Sequence, residues 1–497
     1  MALLKLLLPR PGTAAARGRS LFGVLVVVAA LAALPSPSSA RTAPDSFADL
    51  AARLLPSVVN VSTTQVVEGN AGIELPQLPP GSPFEEFFKE FMERNQPKQQ
   101  QRRRATSLGS GFIIDNDGHI VTNNHVIQDA DEISVILHDD TRLEAKVIGR
   151  DAKTDLAVLK VEPHSKLVPV RFGDADTIRV GDWVLAIGNP FGFGGTVTAG
   201  IISARGRDIN AGPYDDFLQT DASINRGNSG GPMFNLDGEV IGINTAIFSP
   251  SGGSVGIGFA IPSNSAHGVI QQLIAHGQVR RGWLGVRIQS VTEEIADALG
   301  LKEAAGALVA GVIPGGPAEK AKLKEGDIIV EFDGKPITQM RRLPRVVADT
   351  EVGKTVPIKV WRDGRELSMK VEVDALEKPD EKVEAKASGS KPSPRGEAVA
   401  TLGLDVAAID AQMREQFSLD ADARGVVITA VDPDGPAAEQ GVRVGDRIVE
   451  VSQEPVSTPA QLAAKIKTAQ SAGRKVALLL VEGEGGMRFV AIRLGKE

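Results

Sequence analysis

One pattern is written twice in the second half of this chain. Pro314-Gly315-Gly316-Pro317-Ala318 returns as Pro433-Asp434-Gly435-Pro436-Ala437, and Gly326-Asp327-Ile328-Ile329-Val330-Glu331 returns as Gly445-Asp446-Arg447-Ile448-Val449-Glu450, both at an offset of 119 residues. Upstream, Trp283-Leu284-Gly285-Val286 corresponds to Thr401-Leu402-Gly403-Leu404. A repeat of this length predicts two copies of one small unit, each of about 95 residues and able to fold alone. At 497 residues the whole chain is too long for one core, and about three domains are expected.

The first half has a different texture. Short β-like runs such as Ser57-Val58-Val59-Asn60-Val61-Ser62, Trp183-Val184-Leu185-Ala186-Ile187 and Glu239-Val240-Ile241-Gly242-Ile243 alternate with Gly, Asp and Asn turns. Many short strands at close spacing predict a sandwich or barrel. With three Trp and one Tyr, the cores must be built from Val, Ile, Leu and Ala.

Three segments in this half carry chemistry. Arg226-Gly227-Asn228-Ser229-Gly230-Gly231-Pro232 places a serine among glycines, whose tight turn lets amide N–H groups point beside the hydroxyl. Thr122-Asn123-Asn124-His125-Val126 places a histidine at a strand end, and Thr154-Asp155-Leu156-Ala157-Val158 sets an acid before an apolar run. A serine needs a base, and the base needs a buried acid that fixes its tautomer and stabilises its cation. His125, Asp155 and Ser229 follow one another in the chymotrypsin-type order. The remaining histidines, His119, His138, His164, His267 and His276, are assigned to structure or solvent. No His-x-x-x-His or Cys pair predicts a metal site, and no Walker-type loop predicts ATP, so no cofactor is expected.

With these motifs, and with Gly109-Ser110-Gly111-Phe112-Ile113, Gly188-Asn189-Pro190-Phe191-Gly192 and Gly256-Ile257-Gly258-Phe259-Ala260-Ile261-Pro262, the chain resembles the HtrA/Deg family of serine proteases. The resemblance implies a mainly β fold: a chymotrypsin-like double β-barrel protease domain followed by two α+β PDZ domains. It implies His125 as general base, Asp155 as its orienter and Ser229 as nucleophile, with the Gly227 and Ser229 amides as oxyanion hole. It places Ile247 in the wall of an aliphatic specificity pocket; the alternative is that Ile247 only packs the second barrel. It makes Arg207 a sensor linking PDZ occupancy to the site; the alternative is a solvated cation. Each repeat copy resembles a PDZ domain. There a glycine between apolar residues, as in Leu284-Gly285-Val286, lets successive N–H groups form a nest for a carboxylate. The chain departs from some relatives in having no cysteine, so its 66–106 loop cannot be locked by a disulfide.

Residues 1–40 read as a signal peptide: Lys5, Arg10, Arg17 and Arg19, then an apolar stretch from Leu21 to Leu34, then Ser38-Ser39-Ala40. The stretch is short for a spanning helix; an uncleaved leader would instead hold the protein near a membrane. The net charge of −7 becomes more negative when this basic leader is removed, so nucleic acid is not an expected partner. The expected domains are a protease at 41–276, a first PDZ at 280–376, a Lys/Glu/Pro/Ser-rich flexible linker at 377–399 and a second PDZ at 400–497. The function expected is ATP-independent degradation of unfolded or misfolded proteins in the periplasm, with apolar C-terminal peptides as PDZ ligands. The resemblance also implies a homotrimer that can grow into larger oligomers. The alternatives are a chaperone or scaffold and a regulatory stress protease.

Overall fold

The computed structural model describes residues 44–67, 103–189, 195–225, 227–250, 253–376 and 396–494. The expected leader, most of the 66–106 loop and residues 377–395 of the expected linker lie outside the described residues. Contacts divide the chain into Met1–Asp49 and Leu50–Glu497, and the barrels and both repeat copies belong to the second unit.

Six strands form the first barrel: β1 (Val58–Val67), β2 (Arg103–Ile113), β3 (His119–Thr122), β4 (Glu132–Ile136), β5 (Arg142–Asp151) and β6 (Leu156–Val161). They pair in the order β1-β2-β3-β6-β5-β4, and β4 returns to β1. Closure removes the free edge an open sheet would expose. On β5, Leu143 and Ala145 point inward while Arg142 and Glu144 face water. The interior is aliphatic, with Val59, Val61, Ile113, Ile120 and Leu159.

The second barrel contains β7 (Arg171–Phe172), β8 (Trp183–Gly188), β9 (Thr196–Arg207), β10 (Phe217–Thr220), β11 (Pro232–Phe234), β12 (Glu239–Ile247) and β13 (Gly258–Pro262). The order is β11-β8-β9-β10-β13-β12, with β12 also pairing β11, and β7 adds in parallel beside β12. The helix Ser263–His276 then packs on β5 and β6 of one barrel and β12 and β13 of the other. Its buried Ala266, Val269, Ile270 and Leu273 recur at helical spacing. It stops at Gly277, whose left-handed φ of 71° lets its N–H cap the Leu273 carbonyl.

The first repeat copy holds β14 (Gly282–Trp283), β15 (Val286–Ser290), β16 (Ala307–Val312), β17 (Ile328–Phe332), β18 (Lys335–Pro336), β19 (Thr355–Arg362), β20 (Arg365–Glu372) and β21 (Asp374–Ala375). Its main sheet runs β15-β16-β17-β19-β20, and β14 pairs separately with β21. The second copy holds β22 (Glu397–Val399), β23 (Leu404–Ala408), β24 (Val426–Val431), β25 (Arg447–Val451), β26 (Glu454–Pro455), β27 (Val476–Gly483) and β28 (Gly486–Arg493). Its order is β22-β23-β24-β25-β27-β28. A helix packs across each sheet, Arg342–Ala348 in the first and Pro459–Ser471 in the second.

Two expectations change here. A flexible linker through residue 399 predicts a second copy free to move against the first. The structure instead docks it: Leu478, Leu480, Phe489 and Ala491 are buried against Leu308, Ala310, Ile328 and Ile295 of the first copy. The reason lies in β27, where Ala477, Leu479 and Val481 fill the second copy's own core and the alternate residues are apolar too. A lone sheet would leave that outer face in water. Gln289 adds specificity, its Nε2 donating to the Phe489 carbonyl at 2.7 Å and its Oε1 accepting the Phe489 N–H at 2.8 Å. In addition, the last residues read as linker, Glu397–Val399, are strand.

Candidate active site

His125 sits in a single helical turn, Asn124–Ile127, directly after β3. Asp155 precedes β6 with a left-handed φ of 55°. That turn is held by its own backbone, since the Asp155 carbonyl accepts from Asn124 N at 3.1 Å and Asn123 Nδ2 at 2.8 Å. The carboxylate is engaged on both oxygens. Oδ1 accepts the His125 amide at 2.9 Å, and Oδ2 meets His125 Nδ1 at 2.7 Å and accepts from Thr245 Oγ1 at 2.6 Å. An ionised carboxylate only accepts, so Nδ1 carries the proton and Nε2 keeps the lone pair. The His125 side chain is exposed, at 43%, and Asp155 is half-buried, at 30%, so the acid is less enclosed than its place before an apolar run predicts.

Ser229 comes from the other barrel. Its Oγ donates to the Thr245 carbonyl at 3.3 Å, and among the described residues no hydrogen bond joins it to His125. Such bonds are often long in ligand-free sites and tighten with substrate. Neighbouring amides along the loop are paired: Asn228 N with the Asn225 carbonyl at 3.0 Å, Gly230 N with Asn244 at 2.8 Å, Gly231 N with Asn228 at 2.9 Å. The amides of Gly227 and Ser229 have no acceptor among the described residues. Gly230 explains the glycine after the serine: φ is 85°, and a Cβ there would lie 2.2 Å from the Ser110 carbonyl.

Sequence reasoning missed two residues that hold this loop. Ser110 on β2 receives the Asn189 N–H at 2.7 Å, donates to the Gly227 carbonyl at 2.5 Å, and uses its own amide on the Ser229 carbonyl at 2.9 Å. Its signal was a serine between two glycines in a strand. Thr245 ties β12 of the second barrel to Asp155 of the first.

Ile247 ends β12, half-buried, and packs against the core cluster of the second barrel that includes Ile224. Arg207 ends β9, where its Nε donates to Gln219 Oε1 at 2.8 Å. The ion pairs from this region to the first PDZ copy run the other way. Arg341 meets Asp208 at 3.6 Å, Arg345 pairs with Asp216, and Arg341 also donates to the Gly206 carbonyl. A buried pair lies beside them. Arg281 donates to both oxygens of Asp151, at 3.0 and 2.5 Å, with its guanidinium 4.9 Å from the Tyr214 ring centre. Asp151 in turn accepts Thr154 N at 3.0 Å and the Thr154 hydroxyl, which shapes the turn into Asp155. Burial alone would raise the Asp151 carboxyl; its bonds to Arg281 and Thr154 outweigh that and hold it below the usual value. A cavity of about 300 Å³ between this turn and the PDZ copy is lined by Thr154, Asp155, Tyr214, Arg281 and Asp349.

In the first PDZ copy Leu284 is buried and Val286 packs on the same core. Gly285 has φ 77°, and a Cβ there would come within 3.3 Å of Gly316 and Pro317. The Leu284 and Gly285 carbonyls accept from Ala318 and Ile313, both at 2.9 Å. The amides of Leu284 and Gly285 have no acceptor among the described residues.

Comparison with known proteins agrees with this layout. The family described as trypsin-like peptidase domain matches residues 109–243, and PDZ domain families match 282–373 and 427–482. A protein of Bartonella henselae named probable periplasmic serine endoprotease DegP-like is 47% identical over 466 residues, covering 91% of this chain and 90% of its own. A Brucella melitensis protein of the same name is 46% identical over 517 residues, with 98% of both chains covered. Among solved structures, the HtrA-type protease AlgW with a decapeptide is 43% identical and superposes with a TM-score of 0.55, covering 67% of this chain and 100% of its own. At this identity and coverage, the chain belongs to the HtrA family of serine endoproteases, in its DegP-like form with two PDZ domains.

Proposed function

We propose that this endoprotease degrades unfolded or misfolded polypeptides in the periplasm, with residues 41–276 as the protease, 280–376 as the peptide-capturing PDZ and 400–497 as the second PDZ. His125 takes the proton of Ser229 and returns it to the leaving amine. Asp155 holds the imidazole in the Nδ1–H tautomer and stabilises its cation. The Gly227 and Ser229 amides receive the oxyanion. The observation that carries this reading is the Asp155 carboxylate, bridged between His125 of one barrel and Thr245 of the other, with the Gly227 and Ser229 amides lacking an acceptor among the described residues.

Substrate enters as an unfolded, extended strand that reaches His125 on one barrel and Ser229 on the other. Its apolar C-terminus docks on the loop 283–286 by the Leu284 and Gly285 amides, which have no acceptor among the described residues. Cleavage follows small or medium aliphatic residues such as Val, Ala or Ile, with Ile247 as apolar wall, because Ser223, six residues before the nucleophile, supplies no charge for Lys or Arg. Arg207 reports PDZ occupancy from the end of β9. Homotrimers are the working form, and the chain also holds unfolded proteins as a chaperone. The testing experiment is Ser229→Ala on an unfolded substrate such as casein. Proteolysis should drop by about 10⁶-fold in kcat while aggregation suppression persists. Near-normal cleavage would remove Ser229 from the role, and lost suppression would remove the chaperone reading.

A further inference from the structure

The two PDZ copies differ at the place that decides whether a peptide can be added. In the first, β15 is the last strand of its sheet, bonded to β16 on one side and to no described strand on the other. In the second, the corresponding strand β23 is bonded to β24 on one side and to β22 on the other. β22 runs antiparallel to β23, with Val399 opposite Leu404, Ala398 opposite Asp405 and Glu397 opposite Val406. The helix Pro459–Ser471 packs on both strands, so β22 lies in the groove between helix and sheet edge.

The fit is specific. Val399 is 6% exposed and belongs to the cluster that contains Leu404, Ile466 and Ala469. Gly396, where the chain enters, is pressed against the Thr429 side chain and the β23 backbone: a Cβ would lie 2.3 Å from Thr429 Oγ1 and 2.9 Å from Val406 N. The loop at the groove's end is also different. Gly285 N of the first copy has no described acceptor, whereas Gly403 N donates to the Ala400 carbonyl at 3.1 Å and closes the turn Ala400–Leu402. A peptide bound by strand addition pairs with an edge, buries alternate side chains and lodges its carboxylate in the loop. β22 does the first two, and chain continuity through residues 400–403 takes the place of the third.

We propose that Glu397-Ala398-Val399 is the resident ligand of the second PDZ groove, with Val399 in the pocket for an apolar terminal residue. Peptide capture then falls to the first copy, a consequence that rests on the peptide-binding role proposed for loop 283–286. Four residues tether the segment to its own site, so its effective concentration is on the order of millimolar or higher. A free peptide making the same contacts must exceed that to displace it.

Hydrogen exchange on the full chain carrying Ser229→Ala tests the contact directly. Amides within 397–399 should include at least one that exchanges at least about 100-fold slower than free chain; free-chain rates throughout 397–399 would overturn the proposal, whatever protection β24 gives to 404–406. A peptide ending in Glu-Ala-Val with a free carboxylate and a photo-crosslinker supplies the second measurement. It should mark only the first copy in the otherwise unchanged chain. With Val399→Lys, the buried ammonium expels β22, labelling should extend to the second copy, and stoichiometry should rise from one peptide per chain to two. Labelling of the second copy without that substitution would overturn the proposal. So would its absence from a folded Val399→Lys chain. If this variant loses protection across β24 and β25 it has unfolded, and the exchange of the unsubstituted strands decides alone. Failure to label the first copy would count against the peptide-binding reading of loop 283–286, while the exchange result still judges β22.

Discussion

Replacing Arg281 with Met should loosen the joint between the first PDZ domain and the turn that carries Asp155. The two charged groups are 8% and 9% exposed. At an effective dielectric of about 20 and a separation of about 3 Å their attraction is about 5 kcal/mol. Both charges have already been taken out of water by the fold, so deleting one leaves the other buried and uncompensated, at a cost of about 3–5 kcal/mol. Methionine keeps the apolar stem but not the cation over Tyr214. In thermal or urea unfolding the earliest transition should move down; its midpoint is the quantity to compare, because a chain with several cores has no single unfolding free energy. Hydrolysis of a chromogenic peptide should slow as well, since Asp151 holds Thr154 and hence the Asp155 turn. A displacement of about 1 Å there costs up to about 10²-fold. Adding Asp151→Asn should recover much of the stability, since no unpaired charge remains. The Asp151 carboxyl is held below its unfolded value, burial opposing and Arg281 and Thr154 prevailing. Its contribution is therefore complete above about pH 4 and lost as pH falls through the folded value. The reasoning is refuted if Arg281→Met melts within about 1 °C of the parent and cleaves at the same rate.

Thr245→Val removes a 2.6 Å bond to the Asp155 carboxylate; a bond to a charged group contributes about 1.5–3 kcal/mol, so kcat/KM should fall about 10- to 100-fold, and unchanged turnover would deny Thr245 a positioning role. Burial pushes the Asp349 carboxyl above its usual value, with Arg345, Lys335 and Arg281 only partly offsetting. Its ionisation therefore opposes folding as pH rises past the unfolded value. Asp349→Asn should raise the melting temperature at pH 7 with the gain fading near pH 4, and a lower melting temperature at pH 7 would contradict this. Leu480→Ala opens a cavity in the contact between the PDZ copies at a cost of about 2–5 kcal/mol; small-angle scattering should report a larger particle, and an unaltered profile with unaltered stability would show the contact to be dispensable.

His125, Asp155 and Ser229 were legible as candidates because each sits in a local motif and they follow one another in the chymotrypsin-type order, and the structure brings His125 and Asp155 into contact. Turn residues recurring at short spacing between β-branched runs left sandwich and barrel both open; the double barrel came from the family resemblance. Thr245 was not legible: its partner is 90 residues away, and in Asn244-Thr245-Ala246 it reads as an ordinary strand residue. Arg281 pairs across 130 residues, and beside Arg280 it looks like a surface basic pair. The docking of the two PDZ copies was written in the unbroken apolar run 476–481, which periodicity alone cannot distinguish from any buried strand. β22 is three residues long at the end of a Lys/Glu/Pro/Ser-rich stretch, too short for a period of two to register.

The docked face between the PDZ copies also sets a timetable for making the protein. Leu308 and Ile328 leave the ribosome well before Leu480 and Phe489, which cover them. At synthesis rates of about 5–20 residues per second the first copy waits on the order of ten seconds for its cover. A chain that ends prematurely before β27 never receives it. Such a fragment carries a fully formed protease beside a bare apolar surface, the mark by which chaperones and proteases recognise an unfinished product.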